Sequence, residues 1–529
     1  MGILGALAML PITGLSATAQ EPLTVLTVGG GPQPKMNQVA IESNVRYVDG
    51  LLPANARKRI LFADGKTTTP HVLYMQPEPA AGDTETAYRV VMEGSRTGSQ
   101  RYRRPELPTI DGPAELPTLR EEFERIAGQS SGPILLYFTG HGERNRNLNN
   151  NLFNLWMGTP PEETGPVDAE RMRELQAQSQ AQSQAAPRQS SFLSVRELAN
   201  QIKLLPENRP VTLVMVQCYS GSFANLLFED GNPDSPLVNR PICGFFATTS
   251  DRPAAGCTPE INEADYQDFT SYFFAALAGK DRSGKPVSAT DYDGNGTIGM
   301  EEAYIYALIN EPSIDVPVVT SDQFLRRFVS MNDDEIAALP FSKIRAMASP
   351  ARRAAMDALS KSLGTDAEDR LKQALFDYRS RLDESAGHGL QTTSERDATN
   401  FLIAQRQKLF QQFPELEKAK NMNEYLEVRK KIVASLQNQP ELVKQVLESD
   451  ETISRQRDRQ YADELRGARW LRLFRIAKTV VLENKLRQSG DQNRIAQFNR
   501  LRELEQRNPL QAQSVAASPF AGATTQTVH

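Results

Sequence analysis

Two apolar runs, residues 133–140 (PILLYFTG) and 211–217 (VTLVMVQ), limit the fold more than any other feature of this chain. Neither alternates between apolar and polar. Such runs belong to strands covered on both faces, as in parallel sheets flanked by helices. Residues 23–28 (LTVLTV), 59–65 (RILFADG), 71–76 (HVLYMQ) and 242–250 (ICGFFATTS) also read as strands. Helical spacing falls between them, with Val39, Ile41, Val45, Val48 and Leu51 in 36–52, and again around 118–127 and 195–204. Strands interleaved with helices predict an α/β domain with a mostly parallel sheet, helices on both faces, and its chemistry on loops at the strands' carboxyl ends.

The rest of the chain divides around that domain, placed at 20–325. Residues 77–118 are rich in Pro, Gly and charge and read as a loop insertion. A second insertion at 160–192 contains a Gln/Ser/Ala-rich stretch (174–190), expected to be exposed and open to nicking. Past 330, β-branched runs give way to Leu, Ala, Gln, Glu, Arg and Lys, and an all-α C-terminal domain is expected over 330–507. Residues 508–529 are small and polar and read as a disordered tail. Residues 1–19 are apolar, with Ala17-Thr18-Ala19 as an A-x-A cleavage site but no basic start. They read as an export signal and predict a periplasmic or extracellular protein. No later segment has the roughly 18 uncharged apolar residues of a membrane span.

Charge and cysteine content narrow the function classes. With 60 Lys+Arg against 65 Asp+Glu the net charge is −5, which offers nucleic acid no whole-chain attraction. Arg466, Arg469, Arg472, Arg475 and Lys478 recur every three residues and spread around a helix, so a solvated helix is expected and no nucleic-acid partner. Three cysteines are too few for a disulfide scaffold, and four histidines (His71, His141, His388, His529) leave a short list of imidazoles for any mechanism.

The two defining runs end in reactive side chains, His141-Gly142 and Cys218-Tyr219-Ser220-Gly221. On neighbouring parallel strands the two would emerge side by side. The thiolate is the nucleophile, and a nearby imidazole can take the thiol proton and later protonate a leaving amine. The apolar run 224–228 suggests a helix starting just past the cysteine, whose dipole would favour thiolate. The N–H groups of Gly142 and Cys218 are candidates for an oxyanion hole. Taken singly, a cysteine ending a buried strand is more often an inert core thiol, and a histidine before glycine a turn residue. The coincidence of the two carries the reading.

Tyr137-Phe138-Thr139-Gly140-His141-Gly142 followed by Gln217-Cys218-Tyr219-Ser220-Gly221-Ser222-Phe223 resembles the caspase-like cysteine peptidases, nearest the legumain branch and its bacterial relatives. The resemblance covers residues 21–310. It implies a caspase-like α/β fold, a His141–Cys218 dyad, Gly142 as oxyanion donor, and Ser250 and Asp251 as substrate-pocket candidates. The implied activity is a cysteine endopeptidase acting on peptide or protein substrates through a thioester acyl-enzyme, with no organic cofactor. Val216 stands where such enzymes often carry an acidic residue, which bears on specificity and leaves the dyad untouched. The alternatives are a catalytically silent scaffold or binding module whose helical domain carries a protein partner, and a peptide ligase using the same acyl-enzyme.

Residues 291–302 (DYDGNGTIGMEE) set Asp291, Asp293 and Asn295 at loop positions 1, 3 and 5, Gly296 at 6, Thr297 at 7 and Glu302 at 12. This is the donor spacing of a calcium loop, ending in a bidentate carboxylate. The upstream GKDRSGKPVSAT is a poor helix, so half an EF-hand is expected, holding structural calcium that braces the catalytic domain. Cys243 and Cys257 remain as either a disulfide or, since Cys243 lies mid-strand, free thiols. Gly29-Gly30-Gly31 lacks the Lys of a phosphate loop and reads as a turn.

Overall fold

The computed structural model describes residues 21–94, 98–129, 132–157, 191–288, 290–386, 393–418 and 422–511. The export signal read at 1–19, the 174–190 stretch and most of the tail lie outside them. The strands are β1 (Thr24–Gly30), β2 (Arg57–Phe62), β3 (Val72–Pro77), β4 (Gly98–Arg103), β5 (Ile134–Gly140), β6 (Gly142–Glu143), β7 (Leu152–Asn154), β8 (Phe192–Ser194), β9 (Val211–Met215), β10 (Ile242–Phe246) and β11 (Val318–Val319). Six of them form the central sheet in the order β11-β10-β9-β5-β1-β2. All its pairings are parallel except β10 with β11.

The unalternated sequence of the central strands has a direct cause. Every residue of β1 and β5 is buried. Along β5, the Tyr137 hydroxyl meets Thr270 at 2.9 Å on one face, while Phe138 packs edge-on against Phe153 on the other, 5.4 Å between ring centres. The sheet is flanked by α1 (Val39–Leu51), α3 (Leu116–Ala127), α4 (Val195–Lys203), α5 (Phe269–Ala278), α6 (Met300–Asn310) and α7 (Thr320–Phe328), while α2 (Asp83–Glu93) packs away from it. Helix α4 starts at a capping box, Ser194 accepting from the Glu197 N–H and Glu197 from the Ser194 N–H.

The C-terminal region is helical: α8 (Asp333–Ala337), α9 (Phe341–Met347), α10 (Pro350–Ser362), α11 (Arg370–Ala386), α12 (Thr393–Gln412), α13 (Glu415–Lys418), α14 (Met422–Gln437), α15 (Pro440–Gln488) and α16 (Gln492–Glu505). It is not a body apart from the sheet. One continuous core joins Leu136, Leu213 and Phe245 of the strands to Ile344, Leu359, Trp470, Phe474, Val480 and Phe498 of the helices. No helix among the described residues is long and apolar enough to cross a membrane.

Three expectations need correcting. Residues 77–118 are not a plain loop, because they contain α2, β4 and the start of α3. Ala87, Tyr88, Val90 and Val91 of α2 pack against Leu409, Val428, Ile432, Leu436 and Val446, partners more than 300 residues away that local composition cannot reveal. The basic residues of α15 are not all solvated, since Arg472 is fully buried. The tail is placed through residue 511. Its buried Asn508 donates to the carbonyls of Leu277 (3.3 Å) and Ile298 (2.9 Å). The sequence HVLYMQ does form a strand, but it pairs with β4 in a separate two-stranded antiparallel sheet.

Candidate active site

Strands β5 and β9 lie side by side in parallel, with Ile134 opposite Val211 and Phe138 opposite Met215. The ladder runs on past β9, as the Val216 N–H donates to the Phe138 carbonyl at 3.0 Å. Continued in step, this register brings His141 level with Cys218. Their segments touch through backbone. A Cβ built on Gly142 would lie 2.2 Å from the Cys218 carbonyl oxygen and 2.8 Å from Gln217 Cγ, so only glycine lets the two loops approach this closely.

Each reactive side chain is held by groups from other loops. His141 Nε2 is 2.8 Å from the Met36 carbonyl and 3.0 Å from Gln38 Oε1. Both are acceptors, so Nε2 carries the proton and neutral His141 leaves Nδ1 free to accept one. The Met36 loop is itself clamped. Asn37 accepts from the Gly31 N–H (3.0 Å) and donates to His71 Nδ1 (2.8 Å), and His71 Nε2 reaches Asp64 at 2.9 Å. His71, a second buried imidazole, is thereby fully engaged in the scaffold.

The Cys218 sulfur, half-buried, accepts from the Ala254 N–H at 3.3 Å. Burial pushes the thiol up, and its hydrogen bonding to the Ala254 backbone opposes this. Burial pushes His141 down, opposed by its bond to Met36. Both shifts favour the neutral thiol and the neutral imidazole, and the two side chains bond to other groups, not to each other. Burial works against the thiolate expected from a helix dipole. The chain leaves Cys218 through Tyr219 in the left-handed region (φ 60°) and enters a 3₁₀ helix, Ser220–Leu227, rather than an α-helix.

Ser250 and Asp251 adjoin this loop through backbone. A Cβ on Gly221 would meet the Thr248 carbonyl at 2.7 Å and the Ser250 nitrogen at 2.9 Å. Asp251 accepts from the Thr249 hydroxyl at 2.6 Å, and its charge acts on Tyr378 and Arg475 of the helical region. The residue that sequence reading missed is Asn151. Fully buried, its amide donates to the carbonyls of Ser250 (2.7 Å) and Tyr219 (3.3 Å) and its oxygen accepts from the Asn145 N–H (3.0 Å). It ties the loops after β6, β9 and β10 together. The run of asparagines at 147, 149, 150 and 151 gave no sign of which would do this.

All three cysteines are free. Cys243 is buried in β10 beside the Thr212 hydroxyl (3.7 Å), and Cys257 faces the Gly140 carbonyl (3.6 Å), so the two do not form the disulfide left open above.

The chain matches no protein-family model, and no curated protein is significantly similar to it.

A second cluster lies at the 291–302 loop. Carboxylate oxygens of Asp291, Asp293 and Glu302 converge within 4.8 Å of one another, Glu302 buried and the two aspartates exposed. Asp291 accepts from the N–H groups of Gly294 (2.7 Å), Asn295 (3.1 Å) and Gly296 (2.9 Å), and Glu302 from Tyr292 (2.6 Å). Asn295 Oδ1 accepts from the Thr297 N–H (2.8 Å). The turn uses left-handed glycines at 294 (φ 74°) and 296 (φ 80°). Helix α6 follows, but α5 ends at Ala278, and a β-bridge between Lys280 and Pro286 fills the gap. The loop has one flanking helix instead of two.

Proposed function

We propose that this chain is a cysteine endopeptidase of caspase-like architecture, with His141 and Cys218 as its catalytic dyad. The observation that carries the reading is the β5–β9 register: Phe138 pairs with Met215, and His141 and Cys218 each follow three residues later, past the carboxyl ends of two neighbouring parallel strands. Because the resting pair is neutral, His141 Nδ1 takes the thiol proton as sulfur attacks the peptide carbonyl. The Met36 carbonyl steadies the imidazolium that forms, and the Ala254 N–H steadies developing charge on sulfur. The N–H groups of Gly142 and Cys218 are the candidate oxyanion donors. The imidazolium then protonates the leaving amine, and water releases the acyl group from the thioester.

The 291–302 loop fits calcium, its donor set being all oxygen: carboxylates of Asp291, Asp293 and Glu302, the Asn295 amide and the Thr297 carbonyl. An ion there would relieve repulsion among the clustered carboxylates and brace the start of α6. No step of the reaction passes through it.

A silent scaffold is the second reading, favoured by Val216 and by the neutral resting pair. An irreversible thiol-directed peptide probe decides between them. Labelling confined to Cys218 and lost in His141→Ala supports the peptidase. Wild-type protein that neither labels nor cleaves a peptide library, with and without calcium, overturns it.

A further inference from the structure

Three buried groups outside the dyad lie behind the nucleophile loop without a part in the chemistry: Glu311, Asp315 and Arg472, each no more than 1% exposed. Arg472 projects from α15 into the turn after α6. Its Nε donates to the Asp315 carbonyl (2.7 Å), Nη1 to those of Leu308 (3.1 Å) and Glu311 (2.9 Å), and Nη2 to that of Ser313 (3.0 Å). A guanidinium spent on four carbonyls fixes a backbone turn, since its planar fork sets the direction of every bond. Within the turn, the Ser313 hydroxyl accepts from the Asp315 N–H (3.1 Å) and donates to the Glu311 carboxylate.

The turn carries one contact toward the dyad. Asp315 Oδ1 accepts from the Ala255 N–H at 2.6 Å. The preceding N–H, that of Ala254, is the one that reaches the Cys218 sulfur. The same loop is tied to the nucleophile a second time, as the Tyr219 N–H donates to the Arg252 carbonyl at 2.9 Å. A continuous line of hydrogen bonds therefore runs from the C-terminal helical region to the sulfur.

We infer that Asp315 and Arg472 are positioning residues for Cys218: Arg472 sets the 308–315 turn, and the Asp315 carboxyl holds the Ala254–Ala255 backbone where its N–H can meet the sulfur. The helical region is thereby part of the active site's support. The inference rests on the reading of Cys218 as nucleophile. The electrostatics agree with a fixed unit. Burial and then mutual repulsion raise the Asp315 carboxyl, and burial raises Glu311. The facing oxygens Asp315 Oδ2 and Glu311 Oε2 have no other hydrogen-bond partner.

The test is the pH profile of Cys218 alkylation by iodoacetamide, followed at that residue by mass spectrometry, in the full chain. Asp315→Ala releases the Ala254 N–H from the sulfur. The alkylation midpoint should rise by about one pH unit and the rate at pH 7 fall about tenfold. Asp315→Asn keeps an acceptor for Ala255 and should stay within about twofold of wild type. Folded Asp315→Ala with the wild-type midpoint overturns the inference. If that variant does not fold, Arg472→Lys, which keeps the charge but not the four-way fork, is read by the same midpoint. The assay needs no substrate, so failures are distinguishable. A wild-type midpoint indifferent to His141→Ala removes the nucleophile reading. A His141-dependent midpoint that Asp315→Ala and Arg472→Lys leave unmoved removes only the positioning role.

Discussion

The two halves of α15 share one helix of 49 residues and serve different cores. Its C-terminal half puts Trp470, Leu473, Phe474, Ala477 and Val480 into the core that includes the central sheet, and Arg472 onto the carbonyls of the 308–315 turn. Its N-terminal half puts Val443 and Val446 into a second core, shared with α2, α12, α13 and α14. One half makes buried polar contacts with the 308–315 turn, while the other completes a hydrophobic bundle around an inserted helix. A continuous helix can thus belong to two cooperative units, because side-chain packing and not backbone continuity defines such units.

Substitutions in the two halves should separate them. The largest effect is expected from Arg472→Leu, which strands four buried carbonyls and the Glu311–Asp315 pair. A loss of about 3–5 kcal/mol is expected in urea unfolding, together with loss of His141-dependent labelling at Cys218. Next, Ile432→Ala opens a cavity in the second core. It should cost about 2–4 kcal/mol in that unit, with faster amide exchange in α2, α12 and α14 and unchanged Cys218 alkylation. If Ile432→Ala also disabled Cys218, the two halves would be one unit.

A pH series sharpens the sheet side of the comparison. Glu505 of α16 is fully buried, accepting from the Ser321 N–H (2.8 Å) and the Thr320 hydroxyl (2.9 Å). Burial, only partly offset by Arg502, pushes its carboxyl up to about 7. The folded state then holds this proton more tightly than the unfolded chain. Its contribution is full below the ordinary carboxylate range and is lost as pH rises through about 7. Thermal melts of the wild type should lose about 3 kcal/mol from this group between pH 4.5 and 8, and Glu505→Gln should remove that slope. The smallest effect belongs to the bundle side. Tyr88→Phe deletes the 2.9 Å hydroxyl contact with Tyr425 and should cost about 1 kcal/mol in urea unfolding, with no change at Cys218.

Legibility followed the range of the signal. Apolar runs announced β5 and β9 because each residue of a doubly covered strand reports its own burial. The residues that end them, His141 and Cys218, were visible for the same reason. Where an α-helix was expected after Cys218 stands a 3₁₀ helix, packed at Gly221 against the 248–250 backbone, a long-range contact that local sequence does not announce. The insertion at 77–118 hid α2, whose apolar face is short and finds its partners only in the C-terminal helices. The triplet spacing of Arg466 to Lys478 correctly implied side chains distributed around a helix, but spacing is silent about what surrounds that helix.

By itself the sequence determined the mostly parallel α/β sheet, the helical C-terminal region and the oxygen-rich order of the 291–302 loop. Periodicity and turn chemistry act between residues close in the chain, so they are written locally. Only the tertiary structure decided that the Met36 carbonyl faces His141, that the Ala254 N–H faces Cys218, and that Arg472 is buried against the 308–315 turn. Backbone groups carry no residue-type signature, and the burial of a charged side chain depends on partners more than 150 residues away.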